Sequence, residues 1–229
     1  KILQSYSGVS SAQVLQVCRR VLPDSTAEVG EEDNWTSTMP NEKDSTQIDT
    51  VHEGRKLVVY IKPNGKIVDL QFASKIDSVT AGFIEQFYQQ EAPVFPSREV
   101  KVGDTWSQST DVKLDSGTVT AATNFALTAF AHEQGYDCAV ITYTGNLIIP
   151  VRPSPDDSTK RGGVDRVQSS GTMYLATREG QIVLQKERLV NNGIRHRIKE
   201  GKLVDLTIST ETETTYTLKE RKVVTPTGR

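Results

Sequence analysis

The sequence has little of the residue types that usually carry catalysis and metal binding. It holds 2 cysteines and 3 histidines in 229 residues, and aromatic residues make up only 7% of the chain. Cys18 and Cys138 are too few for a disulfide scaffold or for a zinc site of their own. We expect Cys138 to be a buried structural thiol. A Cys18–Cys138 disulfide, which needs an oxidising compartment, is the less favoured alternative.

Neither an excess of one charge nor a long apolar run is present. The formal net charge is -2, whereas a general nucleic-acid binder usually has a basic excess. A membrane-spanning helix needs about 20 apolar residues, whereas the apolar stretches here are short; the one at 147–149 ends at Pro150. We therefore expect no transmembrane segment and no nucleic-acid partner.

The chain starts at Lys1 without Met and without a secretion signal, and we expect a processed product or a trimmed chain. A surface rich in Ser, Thr, Gln and Asn is typical of exported proteins. The predicted location is periplasmic, outer-membrane-anchored or extracellular.

The common catalytic motifs are also missing. There is no Gly-x-Ser-x-Gly, no Walker loop and no Gly-x-Gly-x-x-Gly. His52-Glu53 and His132-Glu133 begin like zinc-protease helices, but each lacks the second His four residues on. We predict no enzyme activity, no metal and no cofactor.

One segment, Leu114-Asp115-Ser116-Gly117-Thr118, matches the core of aspartic proteases. That chemistry needs two facing aspartates that share a proton. Because the chain has no second copy, only a homodimer could supply it through Asp115, and a polar hairpin turn is the preferred interpretation.

Two segments have helical spacing of apolar residues. Residues 10–22 place apolar side chains at i, i+3, i+4 and i+7, and Pro23 ends the pattern. Residues 75–91 repeat the pattern, with Phe83 and Phe87 on one face and Pro93 beyond it. Both predict amphipathic helices.

Most of the remaining sequence predicts strands. Lys56–Ile61 and Lys66–Phe72 flank an Asn64-Gly65 turn, and Met173–Thr177 and Ile182–Leu189 flank Glu179-Gly180. Long alternating segments follow at 119–129, 136–149 and 204–218. The predicted class is α+β and β-dominated: a long, curved, half-barrel-like antiparallel sheet packed on one or two helices.

We interpret the chain as a single domain, 1–229, with mobile loops at 40–50 and 150–165. Similar spacing after Pro23 and Pro96, each leading to a Trp, indicates a degenerate internal repeat of 10–72 and 75–190, with chance resemblance as an equal alternative. In either case Val102-Gly103-Asp104-Thr105-Trp106 predicts a turn that leads into a strand and places Trp106 over a sheet edge.

Two candidate binding sites follow from these patterns. The concave face of the sheet would hold an apolar or lipid-like ligand, or close on its helix; its predicted lining is Phe83, Phe87, Val119, Phe125, Leu127, Val140 and Met173. A basic hairpin over 186–202, turning at Asn191-Asn192-Gly193, would bind anionic headgroups or an acidic envelope protein through Lys186, Arg188, Arg195, Arg197 and Lys199. A solvated basic edge that prevents strand pairing is the favoured alternative for this second set. Lys160-Arg161-Gly162-Gly163 is interpreted as a solvated loop in preference to a phosphate cradle.

The segment from Phe95-Pro96 to Val102-Gly103-Asp104-Thr105-Trp106 resembles an uncharacterised family of bacterial exported proteins and lipoproteins. Those proteins have Leu-Pro-x-x-x-Val-x-Val-Gly-Asp-x-Trp, so Phe95 departs from the pattern. Gly135–Val140 and Gly171–Gly180 are similar to its downstream strands, and the resemblance covers residues 75–190. It implies export and, by analogy of fold, a carrier-like curved sheet; it implies no activity. We expect a non-catalytic binding protein of the cell envelope, with a structural or protein-interaction role as the alternative.

Overall fold

A computed structural model describes residues 9–39, 47–75, 93–114 and 117–221. The chain divides into two compact units. The first contains residues 1–99 and 110–120, and the second contains residues 100–109 and 121–229.

The first sheet is a four-stranded antiparallel meander in which each strand pairs with the next along the chain. Its strands are β1 (Val9–Val21), β2 (Ala27–Met39), β3 (Gln47–Ile61) and β4 (Ile67–Phe72). Leu57 and Val59 on β3 are each 1% exposed, so alternate residues of this strand enter the core, as the period of two in a strand requires.

The second sheet has six strands in the order β10-β9-β8-β7-β6-β5. Its strands are β5 (Thr105–Leu114), β6 (Gly117–Glu133), β7 (Tyr136–Val151), β8 (Lys160–Ala176), β9 (Gln181–Lys199) and β10 (Lys202–Thr217). Two of its turns are two-residue loops with both residues at positive φ, Gln134-Gly135 and Glu200-Gly201. This conformation matches the right-handed twist of the strands and fixes their register.

The predicted α+β class is wrong, because the described residues form two antiparallel sheets and contain no helix. Residues 10–22, predicted as a helix, lie almost entirely in β1 and pair with β2 from Val9↔Thr38 to Val21↔Ala27. Their valines are β-branched and favour strands. Because helix propensity is weak, the backbone hydrogen bonds to β2 decide the conformation. The second predicted helix, 75–91, lies outside the described residues except for Lys75.

The hairpin predictions are confirmed. β3 and β4 turn through Pro63-Asn64-Gly65, where Gly65 has φ +87° and donates its N–H to Lys62 O at 2.9 Å. β8 and β9 pair from Ala176↔Gln181 onward around Gly180. The long strands predicted at 119–129, 136–149 and 204–218 correspond to β6, β7 and β10.

The turn predicted at Asn191-Asn192-Gly193 is wrong, because these residues lie inside β9 and pair with β8 through Asn191↔Val167 and Gly193↔Asp165. Asn-Gly favours a turn, but Gly193 serves a packing need here. A Cβ at this position would lie 2.4 Å from Asp165 Oδ1. The basic segment is therefore one strand, and its hairpin turn lies at Glu200-Gly201.

The single-domain, repeat and mobile-loop interpretations stay predictions. In the first predicted loop, residues 40–46 lie outside the described residues and 47–50 belong to β3. In the second, 150–151 belong to β7 and 160–165 belong to β8. The connection from β7 to β8 has two backbone hydrogen bonds: Asp157 O accepts from Lys160 N at 3.0 Å, and Lys160 O accepts from Ser154 N at 3.2 Å.

The six-stranded sheet has two chemically different faces within the second unit. Directly paired residues share a face, and neighbours along a strand alternate. One face, here called the apolar face, carries Phe125, Leu127, Ile141, Tyr143 and Met173, all at most 8% exposed. The other, the polar face, carries Thr142, Thr144, Ser170, Thr172, Lys186 and Arg188.

Candidate functional site

A tight turn before β5 positions the edge of the apolar face. Gly103 has φ +95°, and Asp104 Oδ2 accepts a hydrogen bond from Lys101 N at 3.1 Å. Gly103 N then donates to Leu127 O at 2.8 Å, and Leu127 N donates to Asp104 O at 3.0 Å. The turn predicted from this motif is confirmed, and it ties the start of β5 to the centre of β6.

Trp106, two residues after Asp104, begins a row of side chains that crosses the apolar face. Its ring stacks on Phe125 with centroids 5.5 Å apart and planes 12° apart, and Phe125 contacts Tyr143 at 6.0 Å. The same row continues by direct pairing from Tyr143 to Gly171 and from Gly171 to Glu187. Offset stacking of this kind contributes about 0.5–1.5 kcal/mol per pair beyond the area buried.

Gly171 makes room for the Tyr143 ring. A Cβ on Gly171 would lie 2.5 Å from both Cζ and the hydroxyl of Tyr143, and equally close to Lys186 O. Gln185 Nε2 donates to the Tyr143 hydroxyl at 3.0 Å, and this hydroxyl also bonds the Glu187 carboxyl group. The aromatic row thus ends on a hydrogen-bonded chain from Gln185 through Tyr143 to Glu187.

The pKa of Glu187 is raised above its ordinary value because burial penalises the charged carboxylate, and the bond from Tyr143 offsets this effect only in part. A carboxyl group that holds its proton more firmly is a recurring feature of functional sites. Structural carboxylates share it, so the pKa alone does not define a role.

Two open clefts cross the sheet at this row, with volumes of about 540 and 530 Å³. They share Thr142, Tyr143 and Thr144. Most of their lining belongs to the polar face by register, including Thr142, Thr144, Ser170, Thr172 and Lys186. They are shallow troughs walled by hydroxyl groups and are not enclosed apolar cavities.

The predicted apolar site is brought together only in part. Phe125, Leu127 and Met173 share the apolar face and are 6%, 2% and 2% exposed. Val140 lies on the polar face, because it pairs with Tyr174 while Ile141 pairs with Met173. Val119 belongs to the first unit, and Phe83 and Phe87 lie outside the described residues. Sequence reasoning missed Ile141 and Tyr143, although their period-two spacing from Ala139 could have found them.

The predicted basic site divides between the two faces. Lys186 and Arg188 lie on the polar face, whereas Arg195, Arg197 and Lys199 continue the apolar-face register of β9. On the polar face, Arg188 Nε bonds Glu211 Oε1 at 2.6 Å and His196 Nδ1 lies 2.7 Å from Asp205 Oδ1. The pKa of Arg188 is raised and that of Glu211 is lowered, first of all by their mutual hydrogen bond.

Arg195 forms a partly buried ion pair. Its two terminal nitrogens contact the two carboxylate oxygens of Asp165 at 2.6 and 2.7 Å. The side chains are 25% and 13% exposed, and the bond to Asp165 raises the pKa of Arg195. Bidentate pairing combines charge with fixed geometry, so Arg195 is a structural residue and is not available to a ligand.

Beyond this pair, one end of the sheet carries exposed basic residues. Arg197 is directly opposite Lys160, and Lys199 is directly opposite Lys202. Arg197, Lys199 and Lys202 continue the apolar-face register past Arg195. Lys160 joins them through its pairing with Arg197, beyond a register shift in β8 between Lys160 and Gly163, and all four are exposed. We call Lys160, Arg197, Lys199 and Lys202 the basic end. The Ile198 N–H donates to Thr159 O at 2.8 Å, and this bond ties β9 to the residue directly before β8.

Like charges directly opposite each other on a sheet are destabilising. The basic end contains two such pairs. Asp157 Oδ2 lies 3.5 Å from Lys160 Nζ and offsets part of this repulsion. Asp157 is held ionised because its hydrogen bonds from Thr159 lower its pKa.

The structure describes only some of the remaining candidate residues. Asp115 lies outside the described residues, and His132 Nδ1 lies 3.2 Å from Asp137 on an exposed hairpin. Cys138 is buried, as expected, and burial raises the pKa of its thiol; it forms no disulfide with Cys18. Within the described ranges, no group of three or more His, Cys, Asp or Glu side chains could hold a metal ion.

No family model, curated protein or solved structure matches this chain. The resemblance to bacterial exported proteins stays a prediction. None of the described residues belongs to a helix with the length and apolarity needed to cross a membrane.

Proposed function

We propose that this chain is a non-catalytic, exported or cell-envelope binding protein that engages an acidic protein through its basic end. The observation that carries the proposal is the direct opposition of Lys160 to Arg197 and of Lys199 to Lys202. If only stability mattered at these positions, a Glu opposite a Lys would be favoured over two opposed cations. Retaining four cations at a cost in stability is expected when they serve an anionic partner.

Binding to labelled poly-glutamate, at low and at high salt, tests the proposal. Lys199→Glu with Lys202→Glu should abolish binding, because both cations leave the basic end. Lys186→Glu with Arg166→Glu is the matched control: it makes the same change in net charge on the polar face and should leave binding nearly unchanged. Equal losses in both variants would mean that net charge alone is measured, and the proposal would fail.

Arg195→Glu is not a useful probe of this site. Because Arg195 holds Asp165, its reversal would place two carboxylates together in a partly buried position and disturb the fold. Arg197, two residues on, is exposed and can be changed without that consequence.

A second candidate function is the binding of an apolar or lipid-like ligand at the aromatic row. The stacked Trp106 and Phe125 rings favour it. The open trough of about 540 Å³ next to them adds little support, because most of its lining belongs to the polar face. The low exposure of Leu127 and Met173 weighs against it. Native mass spectrometry of protein purified from its source tests this candidate: a retained lipid mass supports it, and a bare chain contradicts it.

A further inference from the structure

Among the described strands, β10 is an edge strand. It runs from Lys202 to Thr217, and it ends the sheet order. Among the described residues its only strand partner is β9. From Lys202 to Thr215 its outer backbone N–H and C=O groups therefore face away from every described strand, and a further strand can pair with them.

This edge lacks two of the devices that usually block strand addition, proline and a bulge, although it carries three acidic residues. β10 contains no proline, and its only lysine is its first residue. Its pairing with β9 runs without a bulge from Lys202↔Lys199 to Thr217↔Leu184. By contrast β1, which ends the four-stranded sheet, has a register shift between Cys18 and Arg20. Bulges and charged residues at an edge are the common protection against pairing.

The side chains of β10 define what an added strand must carry. On the polar face the strand has three acidic residues, Asp205, Glu211 and Glu213. Asp205 contacts His196 at 2.7 Å and Glu211 contacts Arg188 at 2.6 Å, both on β9, so a basic residue on an added strand would share these two carboxylates. On the other face β10 presents Val204, Leu206 and Ile208, followed by threonines, and Ile208 is 40% exposed. A complementary strand has Lys or Arg at alternate positions and β-branched or apolar residues between them.

The same acidic residues disfavour a second copy of β10 as the occupant. In a symmetric antiparallel pair, opposed residues must share a face. Registers centred on Ile208, Ser209, Glu211 and Thr212 would place carboxylates directly opposite each other, and such contacts are unfavourable. Registers centred on Thr207 or Thr210 avoid them, so a second copy is one outcome of the test below. A foreign basic strand meets no such conflict.

We propose that the outer edge of β10 binds an extended segment of a partner protein in which basic residues alternate with β-branched or apolar ones, by adding it as a seventh strand to the six-stranded sheet. The backbone hydrogen bonds give affinity, and Asp205, Glu211 and Glu213 select the charge. Lys202 belongs both to β10 and to the basic end, but the acidic residues that select the added strand are not part of the basic end, so either proposal can fail without the other.

The test uses the full chain and a synthetic peptide of alternating Val and Lys. Amide hydrogen exchange of 202–217 should slow by about tenfold or more when the peptide is added at saturation, because the outer N–H groups become hydrogen-bonded. A peptide with the same side chains but N-methylated at alternate residues removes the donors that face β10. It should lose binding and protection, although its charge is unchanged.

Two further arms test the choice of occupant. A Val-Glu peptide should not bind, and Glu213→Lys should weaken binding of the Val-Lys peptide severalfold; Asp156→Lys, an exposed loop residue of the same charge, is the matched control and should have little effect. Protection that survives N-methylation, binding without protection of β10, or undiminished binding to Glu213→Lys would overturn the proposal. The proposal would also fail if the amides of β10 exchanged slowly without any peptide and if this protection increased with protein concentration. That result would show that a second copy of the chain occupies the edge.

Discussion

The aromatic row and the basic end lie in the same six-stranded sheet and continue the same face, yet their chemistry is opposite. In the aromatic row each side chain meets a suitable neighbour: Trp106 stacks on Phe125, and Tyr143 lies over Gly171. At the basic end, Lys199 meets Lys202 across the strand pair. The aromatic row stabilises the sheet by packing, whereas the opposed cations of the basic end destabilise it. This difference is the reason why we propose a partner-binding site at the end of the sheet, away from its centre.

The Asp165–Arg195 pair marks the boundary between the two regions, and its loss should have the largest effect. Asp165→Ala leaves the partly buried guanidinium of Arg195 without its bidentate partner, and we expect a loss of about 3 kcal/mol or more in the free energy of unfolding. Chemical denaturation measures this. Glu211→Ala, which removes the exposed partner of Arg188, is the control and should have a much smaller effect. Equal losses would mean that burial does not distinguish the two ion pairs.

The next largest effect should come from filling the space under Tyr143. Gly171→Ala places a Cβ 2.5 Å from the Tyr143 ring and from Lys186 O, and the backbone cannot move away as a flexible side chain can. We expect a loss of about 1–3 kcal/mol from overpacking, together with a change in near-UV circular dichroism from the displaced aromatic row. Gly180→Ala adds a methyl group where nothing lies within 4 Å. It should leave the near-UV spectrum unchanged, although its positive φ of 64° costs some stability. An unchanged spectrum in Gly171→Ala would contradict the close contact.

Glu187, at the end of the aromatic row, should make the free energy of unfolding depend on pH. Its pKa is raised in the folded state, so the folded protein binds its proton more firmly than the unfolded chain. Its contribution to stability is therefore complete below the ordinary Glu pKa, and it declines as pH rises through the raised value. Glu187→Gln keeps an acceptor for Tyr143 and should remove this decline, so that the variant is the more stable protein at neutral pH. Denaturation midpoints across acidic to neutral pH measure it; parallel curves for variant and parent would contradict the assignment.

The smallest effect should be a gain. Lys202→Glu replaces a repulsion with Lys199 by an attraction and should raise the free energy of unfolding by about 0.2–1 kcal/mol. The same variant should bind poly-glutamate more weakly. Opposite signs for stability and binding are expected only if the cations serve a partner; a variant that gains stability and keeps full binding would show a solvated edge without function.

Sequence patterns predicted the strands wherever alternation or a glycine turn was strong. The hairpin at Asn64-Gly65, the hairpin near Gly180 and the turn at Gly103 all depend on local backbone freedom, which residue type controls. Helical spacing at 10–22 was misleading because the same apolar residues also fit the two faces of a strand. The pairing of β1 with β2 decided between them, and a pattern in one segment does not contain that information.

The candidate sites could be predicted only in part, since both depend on which residues share a face. Val140 was assigned to the face of Met173 without the register that places Ile141 there. The basic residues were grouped around a turn at Gly193, whereas the structure uses this glycine to admit the Asp165 carboxylate. A one-residue shift in register moves every side chain of a strand to the other face of the sheet. An error of one residue in the predicted register therefore assigns all the following residues to the wrong face.

The scarcity of cysteine, histidine and aromatic residues, and the absence of a charge excess or a long apolar run, led to predictions against several activities from the sequence alone, because those chemistries require particular residues in particular numbers. Sequence also determined the turns and the alternation of the strands, which follow from the dihedral preferences of single residues. Only the tertiary structure decided that Arg195 forms an ion pair with Asp165 while Arg197 is exposed. It also decided that Lys160 lies opposite Arg197 and that β10 is the last strand of its sheet. These facts arise from pairing between segments distant in the chain, where register and burial, and not residue type, set the free energy of each charge.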